Sequence, residues 1–537
     1  MAIDGVSGRT SYIGSGILNL RSQLDSLSEQ LASGRISNTY AGQGSGRSLA
    51  LGIRAQLNSY SAYTDTATNV TTRINVANLS LQRLVTINSD VKGAAVSAGN
   101  TLDNTGQTAG QKTANLDFYD SVDMLNAQSG DRYLFGGRIT DTAPVAAADQ
   151  ILNGNGAAIA GLKQVIAERG QADIGTAPNW GRVIVSAPSP TAVQIGEDFA
   201  ADPNAAPPVA ASPFGLKLSS ISTTIAGVVP TQPTETPPTV PPAAANPQAM
   251  SIDIGATNPT DGDKVNFTFD LPDGTKETIT LTASSAVPTP ANGFAIDPGD
   301  PQAVPPVLPS STVTAANLKS ALSEAVKQLA NGPLAAASAV RAGQDFFDDP
   351  PQRVGGAPNF STATTLVNGT AADTVIWYTG EKEAPPPAPA DPARGTAVAR
   401  IDDGTTVRYG ARANEQALRT QLQNVAVFAA VTTKVTDVNA SGKVAALGQR
   451  IAQNLAVIPG TQTIQDIQAD FAGAQASIKS TADRQSQGKL ISQTLLDSIE
   501  GINSDEVATK ILALQTALQA SYQTTSKMYQ MSLVKFL

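Results

Sequence analysis

The stretch IGSGILNLRSQLDSLSEQLASG, residues 13–34, decides how the first part of this chain folds. Ile13, Ile17, Leu20, Leu24, Leu27 and Leu31 follow one another at alternating steps of four and three residues. That spacing is a heptad seam, one narrow apolar stripe along a helix. Arg21, Gln23, Asp25, Ser28, Glu29 and Gln30 fill the positions between. Gly34 stops the pattern as a C-cap glycine does. A stripe this narrow buries little by itself and needs a second helix against it. The far end of the sequence supplies a similar one. Val507, Ile511, Leu514 and Leu518 keep the heptad, and Tyr522, Tyr529, Leu533 and Phe536 continue it after a four-residue step. Asn503 or Ser504 is the expected N-cap, with Asp505 and Glu506 in the first turn. A helix from Ser504 to Leu537 would be roughly 50 Å long. Periodicity alone is also satisfied by an ordinary intramolecular bundle. The placement of the seams, where chains are usually least ordered, points instead to partner chains that complete the core.

Between the ends the pattern changes. A Gly/Ser-rich loop runs from Ser37 to Gly46, and a further seam follows through Val70, Ile74, Ala77, Leu81, Leu84, Asn88, Val91 and Ala95. Periodicity predicts more helices over Ala114–Ala127, Asn414–Asn439 and Thr463–Ile499. From about Ala143 to Arg412, proline clusters at Pro230–Pro247, Pro288–Pro309 and Pro385–Pro392 read as linkers or long surface loops. Strand-like runs lie among them. Val183–Val185 and Ala192–Ile195 flank the turn Pro188-Ser189-Pro190. Val265–Leu271 and Glu277–Leu281 flank Pro272-Asp273-Gly274, a hairpin signal. Ser251–Ile254, Thr374–Tyr378, Ala397–Ile401 and Thr406–Tyr409 are further expected strands, and Thr314–Ala330 an expected helix with Leu318, Leu322, Val326 and Leu329 on one face. The expected fold class is therefore mainly α at both termini, as long coiled-coil helices with a small β-hairpin, with inserted α+β central domains.

Composition narrows the chemistry. The 537 residues include 0 Cys and 0 His. Zinc sites built on those ligands, thiol nucleophiles, disulfides and His acid–base catalysis are excluded. The net charge of -9 comes without a basic stripe, which argues against nucleic acid and anionic membranes as partners. No apolar run is long enough to span a membrane, so no membrane insertion is expected. The opening MAIDGVSGRTSYIGSG places Asp4 where a cationic n-region would sit and has no apolar h-region. The plain reading is a cytoplasmic protein; the sharper one is export without a cleaved signal.

Candidate sites are sparse. Gly42-Gln43-Gly44-Ser45-Gly46 resembles a piece of a phosphate loop but has no preceding strand and no GxxxxGK[ST], and reads as a helix–helix loop. Asp261-Gly262-Asp263 begins like a calcium loop without its later ligands, and reads as a turn. Asp345, Asp348 and Asp349 around Phe346-Phe347 are either a hard-cation site or a solvated helix end, the second being the default. Trp180 and Trp377 read as core anchors. Catalytic, cofactor and metal residues are expected to be none. The predicted site is an assembly seam made of Ile17, Leu20, Leu24, Leu27, Leu31, Val507, Ile511, Leu514, Leu518, Tyr522 and Leu533.

These residues carry a family pattern. The segment Leu27-Ser28-Glu29-Gln30-Leu31-Ala32-Ser33-Gly34-Arg35-Ile36 resembles the start of bacterial flagellins and of the related hook–filament junction protein. Leu125-Asn126-Ala127-Gln128 and Arg132-Tyr133-Leu134-Phe135-Gly136-Gly137 are similar to that family's hairpin. Leu512-Ala513-Leu514-Gln515-Thr516-Ala517-Leu518-Gln519-Ala520-Ser521-Tyr522 is similar to its C-terminal helix. Leu271 to Leu281 resembles an insert of large alphaproteobacterial flagellins. Leu81-Gln82-Arg83-Leu84 begins like the stretch an innate immune receptor recognises in many flagellins, but the sequence departs from it at Val85-Thr86-Ile87. The ending Met531-Ser532-Leu533-Val534-Lys535-Phe536-Leu537 is similar to that of the junction protein.

The resemblance implies a structural subunit rather than an enzyme. It implies an N-terminal flagellin helical region over 1–150, an inserted variable β-rich region over 151–247, an inserted α+β domain with Pro-rich borders over 248–405, and a C-terminal flagellin helical region over 406–537. Terminal helices would pair in the core of a helical homopolymer and the central part would face outward. The chain would pass unfolded through the type III export gate, with an export chaperone, an uncleaved signal and no cofactors. It would reside outside the cell in the flagellum, beside hook-associated and cap proteins. The alternatives within that picture are the hook–filament junction protein and a filament subunit whose insert is an adhesin.

Overall fold

The computed structural model describes residues 4–97, 101–156, 158–201, 210–236, 246–300, 302–382 and 392–534. In chain order the helices are α1 (Asp4–Ser33), α2 (Arg47–Ser97), α3 (Ala109–Leu125), α4 (Ala148–Asn153), α5 (Leu162–Ile174), α6 (Ser311–Leu329), α7 (Ala335–Phe346), α8 (Gln416–Ala430), α9 (Ala440–Asn454), α10 (Ile464–Glu500) and α11 (Ser504–Val534). The strands are β1 (Gln128–Ser129), β2 (Arg132–Tyr133), β3 (Val183–Ser186), β4 (Ala192–Glu197), β5 (Lys217–Thr223), β6 (Thr231–Thr236), β7 (Asn246–Asp253), β8 (Lys264–Asp270), β9 (Lys276–Ser284), β10 (Gly293–Ala295), β11 (Gln352–Val354), β12 (Leu366–Asn368), β13 (Val398–Asp402) and β14 (Thr405–Arg408). This is a mixed α+β chain with long helices in both terminal parts. No described helix is long and apolar enough to cross a membrane.

The chain divides into two compact units. The first takes the described residues up to Thr72, Val398–Val407, and those from Gly473 onward; the second takes Arg73–Ala397 and Arg408–Ala472. In the first unit, α1 packs against α11. The residues just after α1 are tied to those just before α11. The Ile36 N–H donates to the Glu500 carbonyl at 2.8 Å, and the Ile502 N–H donates to the Gly34 carbonyl at 3.2 Å. The end of one helix thus meets the start of the other, and the pair runs antiparallel. Gly34 makes the exit possible with φ of +70°, a left-handed C-cap that side chains other than Gly and Asn resist. Glu500 is buried beside this turn and accepts from Arg54 Nη2 at 2.6 Å and Gln43 Nε2 at 3.0 Å. The β13 segment is pinned to α10, where Gln485 Nε2 donates to the Ile401 carbonyl at 2.6 Å and Arg484 pairs with Asp402 at 2.6 Å.

The second unit contains two four-stranded sheets, ordered β3-β4-β7-β6 and β10-β9-β8-β5. Strand β8 shows why. Val265, Phe267 and Phe269 alternate inward while Asn266 and Thr268 turn outward, the period of a half-buried strand. Leu318 and Leu322 of α6 join Phe267, Leu281, Phe294 and Val193 in one core. The turn after β8 closes as the sequence predicts. Asp273 Oδ1 accepts from the Thr275 N–H at 3.0 Å, and Asp273 Oδ2 accepts from Arg450 Nε of α9 at 2.8 Å.

Helices complete this unit, with α3 against α8, α5 against α7, and α7 against α9. A capping box starts α3, and its glutamine has a second task. Gln111 Oε1 accepts from the Thr108 N–H at 3.0 Å, while Gln111 Nε2 donates to the carbonyls of Phe428 at 3.1 Å and Val431 at 2.8 Å. Gln111 is buried, so Gln111→Leu strands a donor and two acceptors at once. We expect a loss of about 2–4 kcal/mol, measured by urea unfolding; a loss below about 0.5 kcal/mol would show that water replaces the amide.

Several expectations are corrected. Thr374–Tyr378 is not a strand; it makes only single bridges, Thr374 to Ala160 and Tyr378 to Val145. The helix expected over Asn414–Asn439 ends at Ala430, because Val431 turns extended and the Thr433 N–H donates to the Gly106 carbonyl at 2.8 Å. A separate helix, α9, follows instead. Helix α5 was not expected, and of α7 only its end near Asp345 was. The face that α5 buries carries Glu168, Arg169 and Asp173, so no apolar stripe marks it in sequence, while α7 is buried over most of its surface.

Candidate assembly surface

The predicted seam residues fall into three groups. Ile17, Leu20, Leu24 and Leu27 of α1 and Ile511, Leu514 and Leu518 of α11 are half-buried, and Val507 is buried. Leu31 and Tyr522 are exposed, at 42 % and 49 %. The side chain of Leu533 lies outside the described residues, as does Phe536. Within the chain, the half-buried stripe of α11 does not step to Tyr522. After Leu518 the half-buried positions are Ser521, Thr525 and Met528, which keep the alternation of three and four unbroken. Tyr522 and Tyr529 sit one position around the helix and face out.

The more telling feature of this unit was missed in sequence. Leu18, at 69 % exposed, and Leu512, at 64 %, stand in water on α1 and α11. Leu490, Ile491 and Leu495 of α10 and Leu49 and Leu51 of α2 are also exposed. Single exposed apolar residues are ordinary, and it is a contiguous patch of them that marks an interaction surface. A signal existed. Ile17-Leu18, Leu490-Ile491 and Ile511-Leu512 are adjacent apolar pairs, and neighbours on a helix point about 100° apart, so one member of each lies off the seam.

The other candidates resolve as structure. Gly42–Gly46 forms part of a 3-10 turn leading into α2. A Cβ on Gly46 would come within 2.8 Å of Ile499 Cγ2, so glycine there permits close approach of α10. Asp261 Oδ1 accepts from the Ser285 N–H at 2.7 Å and Asp263 Oδ2 from the Thr260 N–H at 2.8 Å, which spends both carboxylates on the turn. Among the described residues no group of three carboxylates is placed to hold a metal ion. Trp377 is buried, with Nε1 donating to the Phe347 carbonyl at 3.0 Å, whereas Trp180 is only partly buried against the sheet core.

Asp345 corrects the reading of a solvated helix end. It is buried and pairs with Arg169 Nη1 at 2.5 Å and with Arg341 Nε at 3.0 Å. Burial raises its carboxyl above the ordinary aspartate range, against the pull of Arg169 and Arg341. Asp348 and Asp349 are exposed as expected. Comparison with protein-family models and with curated proteins finds no match for this chain.

Proposed function

We propose that this chain is the structural subunit of a bacterial flagellar filament, assembling into a helical homopolymer outside the cell for swimming motility. The observation that carries the reading is the pair α1–α11, whose seams face each other while Leu18 and Leu512 are left in water. In this reading the pair is a two-helix coiled coil, and its outer apolar side chains are covered by neighbouring copies. Two of the segments that resemble flagellins, Leu27 to Ile36 and Leu512 to Tyr522, begin on or lie within these same helices. The central α+β part is then an insert that faces outward. Export chaperone and gate, hook-associated proteins and cap proteins are the partners this reading implies.

The test is polymerisation seeded by filament fragments. The whole chain should extend the seeds. A truncation after Asn503, which removes α11, should not extend them, yet should keep the circular dichroism of the second unit. Normal filaments from the truncated chain would overturn the reading. Labelling of whole flagella separates filament from junction: antibody along the full length supports the filament subunit, and antibody confined to the base supports the junction protein.

A further inference from the structure

One groove in the second unit combines aliphatic walls with two lysines, Lys163 and Lys443. Ile166 and Ile174 of α5, Ala335 and Ala339 of α7, and Val431 wall a cleft of about 420 Å³, and Lys443 of α9 lines it with them.

Lys443 is poorly provided for. Its Nζ donates to the Thr432 carbonyl at 3.2 Å and makes no ion pair with any described carboxylate. It lies in the first turn of α9, where the helix dipole disfavours a cation and the turn itself holds no acidic residue. Burial pulls its pKa below the ordinary lysine value, and Asp437 only partly opposes this. The other lysine of the groove, Lys163, donates to Asn153 Oδ1 at 2.8 Å and is exposed, so water solvates its charge. A half-buried ammonium with one neutral acceptor has no counter-charge in contact, and Ile166, Ile174 and Val431 give the groove aliphatic walls beside the polar Gln171 and Thr432.

We propose that this groove binds an aliphatic monocarboxylate, the carboxylate meeting Lys443 Nζ and the chain lying over Ile166, Ile174 and Val431. The charge selects an anion, and the walls select an unbranched tail. No step of polymerisation depends on the site, so it stands apart from the assembly reading.

The experiment is calorimetric titration of the full chain with butanoate, hexanoate and octanoate, with 1-octanol as the neutral counterpart. Affinity should rise about fourfold per methylene until the groove is filled. Octanol should bind at least tenfold more weakly than octanoate. Lys443→Met should lower octanoate affinity at least tenfold and leave octanol unchanged, while Lys163→Met should change neither. Lys443→Gln, which can keep the bond to the Thr432 carbonyl, serves as the second variant if methionine disturbs the fold, and should lose octanoate equally. Octanol binding as tightly as octanoate, Lys443 variants that bind octanoate like the parent, or no binding of any carboxylate would each overturn the proposal.

Discussion

Leu512→Asp is expected to leave the isolated chain folded and to stop filament growth. Leu512 is already 64 % exposed on α11, so a charge there meets water and costs the monomer almost nothing. In a polymer that covers this face the balance differs. The lost apolar contact is worth ~1.5–3 kcal/mol, and an unpaired buried carboxylate adds several more. Since each 1.4 kcal/mol is tenfold, the critical concentration should rise roughly a thousandfold or more. Leu24→Asp is the contrast. Leu24 is half-buried on the face of α1 that carries the seam toward α11, so this change should loosen the pair in the monomer as well. Sedimentation assays of polymer mass against total concentration, with thermal melts of the monomer, distinguish the two. A Leu512→Asp chain that polymerises at the parent concentration would remove this face from the assembly contact.

The second large effect is expected at Arg169→Met. Arg169 is a buried hub. Its Nε pairs with Asp173 at 3.0 Å, its Nη1 with Asp345 at 2.5 Å, and its Nη2 donates to the Pro213 carbonyl at 3.0 Å. Its guanidinium also stacks 4.9 Å from the centre of the Phe214 ring. Methionine keeps the stem but leaves Asp173, with no exposed surface, and Asp345 short of a cation. Removing one partner of a buried ion pair costs about 3–5 kcal/mol, which denaturant unfolding of the second unit should show. The pH dependence has a definite sign. The Asp345 carboxyl is already raised by burial, and loss of Arg169 raises it further. A raised acid binds its proton more tightly when folded. The penalty is therefore full above the raised folded value. It shrinks as pH falls through that value toward the ordinary carboxylate range, where protonation removes the buried charge. The variant should thus recover part of its deficit on mild acidification. A deficit that is small, or that grows over that window, would show that Asp345 is not held as a buried anion.

How much of this was legible in sequence depends on what kind of contact each element makes. The seam of α1, the start of α11, the hairpin at Asp273 and the inward face of α6 were all readable, because each is set by local spacing and short-range turn chemistry. One stripe of leucines against solvent is a contrast that a sequence displays. Helix α5 buries Glu168, Arg169 and Asp173 on its inner face and so displays no such stripe, and α9 is separated from α8 by a turn that a long-range bond from Thr433 to Gly106 stabilises. The ion cluster shows the same limit. Arg169 and Asp345 lie 176 residues apart, and nothing local announces that they meet. By itself the sequence determined where the apolar stripes and tight turns fall, since those follow from side-chain period and backbone preference. Only the tertiary structure decided which stripe faces which, and so which leucines stay in water and which charges lose it. Burial is a property of what packs against a residue, and that is fixed by distant parts of the chain.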